Sequence, residues 1–162
     1  MSIRIVVADQ ANAQLYEIEH RHQLQDNVPL RAVGELSDPA AHLHDRDFRS
    51  DRPGRSFDRA PLRGNRRGAT AHHGMGAERQ ARTHESERFA RQIAETLLVA
   101  DQGRHINQLV LIAAPRFLGA LRAALSDSLR QRVTTEIHRD LTHAPERALR
   151  EHLLAELSAG RL

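Results

Sequence analysis

Leu109-Val110-Leu111-Ile112-Ala113-Ala114-Pro115-Arg116-Phe117-Leu118-Gly119-Ala120-Leu121-Arg122 decides the fold class. It opens with an unbroken apolar run, too short for a membrane span and of the kind a strand covered on both faces needs. Pro115 suits the first turn of a helix, where its missing N–H costs nothing. Beyond it, Phe117, Leu118, Leu121 and Leu125 recur at helical spacing. A buried strand that feeds directly into an amphipathic helix is half of an α/β unit. The turn between them puts Arg116 at the carboxyl end of a central strand, where open α/β sheets bind ligands. Two roles follow for Arg116. It binds an anion at the helix start, or it pairs with Asp140 or with a carboxylate of the loop described below. A buried Arg needs a partner, which favours pairing.

The same patterns extend to either side. Ile3 to Ala8 reads as a buried first strand, and Asp9-Gln10-Ala11-Asn12 supplies turn residues. Ala13 to Glu19 carries Ala13, Leu15 and Ile18 among polar neighbours, consistent with a second, hairpin-paired strand. After a polar connection from His20 to Asn27, Val28 to Leu36 forms a third strand, which Pro29 restricts to an edge or a strand start. These three make an antiparallel meander. Thr83 suits a helix N-cap, with Glu85 and Glu87 in the first turn complementing the dipole. Phe89, Ile93 and Leu97, flanked by Ala90, Ala94 and Leu98, give that helix a buried stripe to about Ala100. Gly103 suits its exit. After the central strand and its helix, Val133, Thr135 and Ile137 alternate with polar residues in a fifth strand. Asp140 or Thr142 caps a last helix with Pro145 in its first turn, buried along Leu149, Leu153 and Leu157.

From Ser37 to Arg82 periodicity disappears. Six prolines serve the whole chain, and Pro39, Pro53 and Pro61 fall in this run with Gly54, Gly64, Gly68, Gly74 and Gly76. A structureless connection of that length is functional or disordered. It reads as a mobile insertion over residues 37–82, tethered by Phe48 and Phe57, within a single domain of residues 1–162. The element order is βββ, long loop, αβαβα. That order predicts an α/β chain of the ribonuclease H-like three-layer class, with a mixed five-stranded sheet and a long Arg-rich loop.

Composition narrows the chemistry. The chain of 162 residues has no Cys, hence no disulfide framework and no thiolate chemistry. No apolar run approaches a membrane span, and the start is strand-like in place of a signal sequence, so a cytoplasmic protein without membrane insertion is expected. Lysine is absent; all 24 residues counted as Lys+Arg are Arg. Genomic base composition accounts for much of that, yet Arg still offers bidentate pairing to phosphate or carboxylate. Between His42 and Arg82 ten Arg face Asp45, Asp47, Asp51, Asp58 and Glu78, a net of +5, whereas the whole chain carries +3. The positive field belongs to that segment.

The candidate anion- or RNA-binding residues are Arg46, Arg49, Arg52 and Arg55, with Arg116. The first four recur every third residue, a spacing that lets an extended chain meet successive phosphates. Pro53-Gly54 suits the centre of a type II turn, with Arg52 and Arg55 on either side. The bland reading is a solvated loop whose arginines pair with its own aspartates. His42-x-His44-Asp45 and His72-His73 are the His clusters, and neither supplies three or four convergent ligands. No metal or cofactor is expected. A two-metal nuclease site needs several convergent carboxylates. Asp9 reads as a turn residue, Glu95 can face either way, and the central strand ends in Ala113-Ala114-Pro115.

Four phrases also carry a family resemblance: Asp51-Arg52-Pro53-Gly54-Arg55-Ser56-Phe57-Asp58, Arg88-Phe89-Ala90-Arg91, Ala114-Pro115-Arg116-Phe117-Leu118-Gly119 and Arg139-Asp140-Leu141-Thr142. Together they resemble the bacterial host attachment protein family over nearly the whole chain. More distantly, His73-Gly74-Met75-Gly76 followed by Arg88-Phe89-Ala90-Arg91 is similar to the catalytic loop and helix start in the middle domain of eukaryotic and archaeal peptide-release factors. That resemblance implies the same ribonuclease H-like order and an RNA- or ribosome-associated role. It lacks the decisive Gly-Gly-Gln, since Ala77 and Glu78 follow Gly76, and Gly74 and Gly76 read as flexible loop residues. Three classes of function remain open. They are a release-factor-like binding module, a peptidyl-tRNA or phosphoester hydrolase, and a non-catalytic protein-interaction scaffold.

Overall fold

The computed structural model describes residues 2–26, 28–39, 73–103 and 105–160, except for the side chains of 73–79 and of residue 157. Five strands form one mixed sheet: β1 (Ile3–Ala8), β2 (Asn12–Ile18), β3 (Arg31–Ser37), β4 (Gln108–Ala113) and β5 (Val133–Ile137). Their order is β3-β2-β1-β4-β5. β2 runs antiparallel to β1 and β3, whereas β4 runs parallel to β1 and to β5. The antiparallel meander is as the sequence predicts, and Pro29 precedes an edge strand. A bulge between Leu15 and Tyr16 shifts the β2–β3 register.

All six residues of β1 are buried, because helices cover both faces of the sheet. On one face, Val6, Leu15, Leu109 and Leu111 pack against Phe89, Ile93 and Leu97 of α2 (His73–Gly103) and Phe117, Leu118 and Leu121 of α3 (Pro115–Ala124). On the other, Ile3, Ile5, Val7, Val110 and Ile112 meet Leu24 of the short α1 (His22–Gln25) and Leu149 and Leu153 of α5 (Glu146–Ser158). The period-two alternation of the strands sorts these two sets. Leu30 N donates to Glu146 Oε1 at 2.8 Å, which fixes the start of α5 against the approach to β3.

Several expectations are corrected. α2 begins at His73, ten residues before Thr83, so Thr83 is inside the helix and Glu85 and Glu87 are not in its first turn. The run Ala77-Glu78-Arg79-Gln80-Ala81-Arg82 consists of strong helix formers, and their summed propensity carries Gly74 and Gly76 into the helix. Leu98 is 40% exposed and so lies off the buried stripe. Two short helices were not foreseen, α1 and α4 (Asp127–Arg130), the latter capped by the Ser126 side chain accepting from Leu129 N. α5 starts at Glu146, directly after Pro145, so neither Asp140 nor Thr142 caps it.

Candidate functional site

β1, β3, β4 and β5 all end at the same edge of the sheet, because β2 alone runs the other way. This carboxyl edge collects the turn after β1, the exit from β3, the start of α3 and the connection from β5 to α5. It is also where the chain leaves the sheet toward residues 40–72. The whole of that segment, including Arg46, Arg49, Arg52, Arg55, Phe48 and Phe57, lies outside the described residues.

Asp9 organises the first turn. Its Oδ1 accepts from Ala11 N at 2.7 Å and from Asn12 N at 2.6 Å, while Asp9 N donates to Asn12 O at 2.9 Å. A side chain that bonds its own backbone ahead is what makes Asp a turn former. Its Oδ2 accepts from Thr142 Oγ1 at 2.9 Å, a residue 133 positions away. Thr142 Oγ1 also lies 2.6 Å from Asp140 Oδ1, which in turn accepts from Thr142 N at 3.2 Å. His143 Nε2 stands 3.7 Å from Asp9 Oδ2. The buried hydroxyl of Thr142 therefore ties the β5–α5 connection to the end of β1.

The exit from β3 is fixed in the same way. Asp38 N donates to Ala11 O at 2.7 Å, so Asp38 sits beside the β1–β2 turn. Arg88 Nη2 donates to Asp38 Oδ2 at 2.8 Å and Oδ1 at 3.1 Å. The carboxylate hydrogen bond, and then its charge, hold the Arg88 guanidinium above its ordinary value. From Phe89 onward α2 is packed on the sheet, whereas residues 80–84 are exposed. A helix of 31 residues spans about 46 Å at 1.5 Å per residue. A strand of six residues covers only about 20 Å. The turns before Arg88 thus reach past the carboxyl edge.

Arg116 is at this edge, one residue into α3, whose N-cap Ala114 provides no side-chain cap. It is exposed, and among the described residues its side chain has no hydrogen bond or ion pair. The expected pairing with Asp140 is overturned, because the Asp140 carboxylate is engaged by Thr142 and Arg116 is not buried enough to need a counter-ion. Glu95 is exposed on α2. Among the described residues no three His, Cys, Asp or Glu come together in a way that could hold a metal ion. Nor is any helix there long and apolar enough to cross a membrane.

Of the residues singled out from sequence, the structure brings Asp9, Asp140 and Thr142 together and leaves Arg116 open beside them. The Asp38–Arg88 pair and the Thr142 tether carry no sequence signal, since each joins residues distant in the chain. Three of the four phrases behind the family resemblance supply this edge: Arg88 clamps Asp38, Ala114-Pro115-Arg116 opens α3, and Thr142, itself bonded to Asp140, holds Asp9. A family model described as protein required for attachment to host cells matches residues 4–153 of the chain. No curated protein matches it.

Proposed function

We propose, for a chain that belongs to the family of proteins required for attachment to host cells, that its biochemical role is to bind RNA, with the ribosome as its natural setting. Arg46, Arg49, Arg52, Arg55 and Arg116 make the anion contacts. The observation that carries this reading is topological. Asp38, where the basic segment departs, and Arg88, where α2 becomes packed, are bonded to one another at the edge that also displays Arg116. The sequence between them carries ten Arg from His42 to Arg82, and the edge itself displays an open Arg and an uncapped helix start. Anions are attracted by both features.

Two further points support it. The carboxylates of Asp9, Asp38 and Asp140 are each engaged inside the protein, which favours binding over hydrolysis at this edge. The strand order, with β2 alone reversed, supports a ribonuclease H-like reading of the fold and hence the release-factor analogy. Attachment to host cells is then an indirect consequence of a role in RNA or ribosome metabolism.

The experiment is co-sedimentation with bacterial ribosomes across a salt series. It compares the intact chain with an Arg49→Ala/Arg52→Ala/Arg55→Ala variant. Binding that falls steeply with salt and is lost in the variant supports the reading. Intact protein that stays at the top of the gradient at low salt refutes it, and salt-insensitive capture of a protein partner would replace it with a scaffold role.

A further inference from the structure

Among the described residues, most arginines are engaged within the fold. Arg4 and Arg31 flank Glu17, Arg132 holds Asp101, and Arg150 holds Glu146. Among the arginines whose side chains are described, every one is engaged by a hydrogen bond, ion pair or other electrostatic contact except Arg116 and Arg139. Both exceptions are exposed, and both are at the carboxyl edge. They follow neighbouring parallel strands. Ile112 of β4 lies opposite Ile137 of β5; Arg116 comes four residues after the first and Arg139 two residues after the second. Adjacent strands are about 4.8 Å apart, and the two residues leave the sheet from neighbouring strands at one rim.

From this pattern we infer that Arg116 and Arg139 form a two-arginine subsite for a phosphate group, and that Arg139 is a further anion-contacting residue of the RNA site. The inference rests on the anion-binding reading above and names the residue that completes it. The carboxylates nearby are held by bonds elsewhere in the fold, and among the described residues none is paired with these guanidiniums. Asp9 is held by two backbone amides and Thr142, Asp140 by Thr142, and Asp38 by Arg88. The Thr142 tether fixes the connection that carries Arg139, and Arg139 N donates to Ile137 O at 3.0 Å. Its backbone is therefore set before any ligand arrives. A guanidinium presents parallel N–H donors that match the oxygens of a phosphate, and two of them offer more donors than one carboxylate can accept.

The test uses the full chain with two probes, a labelled short single-stranded RNA and inorganic pyrophosphate. It compares Arg116→Ala, Arg139→Ala and, as a control of equal charge change, Arg21→Ala. Arg21 bonds Gln108 at the opposite edge of the sheet. Either carboxyl-edge substitution is expected to weaken RNA binding several-fold. Each should also lower the slope of log K against log salt by about one. Arg21→Ala should leave both unchanged, and pyrophosphate should displace the RNA while polyglutamate does not. The inference is overturned if Arg139→Ala binds like the intact chain, if Arg21→Ala weakens binding equally, or if polyglutamate competes as well as pyrophosphate.

Its failure and that of the RNA reading are separable. RNA binding lost with Arg49→Ala/Arg52→Ala/Arg55→Ala but untouched by Arg139→Ala keeps the reading and removes the subsite. Pyrophosphate bound through Arg116 and Arg139 without any RNA affinity keeps the subsite and removes the reading. An intact chain that binds neither probe overturns both.

Discussion

Arg88 grips Asp38 with one nitrogen on both carboxylate oxygens, at 2.8 and 3.1 Å, across 50 residues of sequence. The Asp38 side chain is 6% exposed and that of Arg88 59%. A buried carboxylate is thus held by a cation that reaches in from the surface. Arg88→Gln removes that cation from a desolvated acid, whereas Asp38→Asn removes the charge and keeps the shape. The expected outcome is a lower urea midpoint for Arg88→Gln than for Asp38→Asn. Amide exchange should rise at residues 36–38 and 86–90 in both, and unchanged exchange there would show that the clamp is not what fixes this edge.

Phe89 and Leu98 share a helix and differ in fate. Phe89 is fully buried with its ring centroid 6.0 Å from that of Phe117, while Leu98 is 40% exposed. Phe89→Ala should cost about 3–5 kcal/mol of unfolding free energy, as truncation of a packed aromatic does. Leu98→Ala should cost less than about 0.5 kcal/mol. Denaturant titration of the two variants measures the contrast, and equal costs would contradict the packing of α2 on the sheet.

Thr142 acts through its hydroxyl. Thr142→Val keeps the side-chain volume and deletes the contacts to Asp9 and Asp140. A loss of about 1.5–3 kcal/mol is expected, typical for hydrogen bonds to charged groups. Thr142→Ser should recover most of it. Backbone amides of residues 138–143 should exchange faster in the Val variant. A Val variant as stable as the intact protein would mean that the β5–α5 connection is held by something other than this tether.

Asp101 gives the acid limb of the stability curve. Burial raises its pKa, but the Ile106 N–H bond, the Arg132 bond and charge, and His105 outweigh it, and the net value lies below the ordinary 3.8. Arg132 Nη1 also donates to Ile106 O at 3.0 Å, so this cluster fixes the approach to β4. A carboxyl group depressed in the folded state stabilises the fold above its unfolded value and loses that contribution as pH falls through the folded one. Between pH values of about 4 and the lower end of the acid transition, Asp101→Asn should therefore lose less stability than the intact protein. Parallel acid-denaturation curves for the two would remove Asp101 from this role.

The sheet was legible because its strands are chemically plain. Leu109 to Ala113 is apolar throughout and Ile3 to Ala8 is apolar but for Arg4, as strands covered on both faces are, and Pro115 marks where the second one turns into α3. The start of α2 was not legible. Gly74 and Gly76 argue for loop, yet the helix-forming run from Ala77 to Arg82 outweighs them once Phe89, Ile93 and Leu97 anchor the remainder. For the site, the turn role of Asp9 could be read from local chemistry. Its bond to Thr142 could not, because 133 residues separate the two and only the parallel pairing of β1, β4 and β5 brings them together. Arg116 was recognised by its place after a strand, but its pairing with Asp140 was not to be had, since the Asp140 carboxylate is engaged by Thr142 and exposure is a property of the fold; the loop carboxylates weighed beside it lie outside the described residues.

The carboxyl edge as an RNA-binding surface is tested most directly by mapping amide and arginine Nε–H resonances of the full chain during titration with single-stranded RNA. The account predicts shifts at residues 114–117 and 138–143 that fade as salt is added. Signals from the opposite edge, at Asn107 and Arg132, should stay in place. Shifts at the opposite edge, or no shift at Arg116 and its neighbours under low salt, would contradict it.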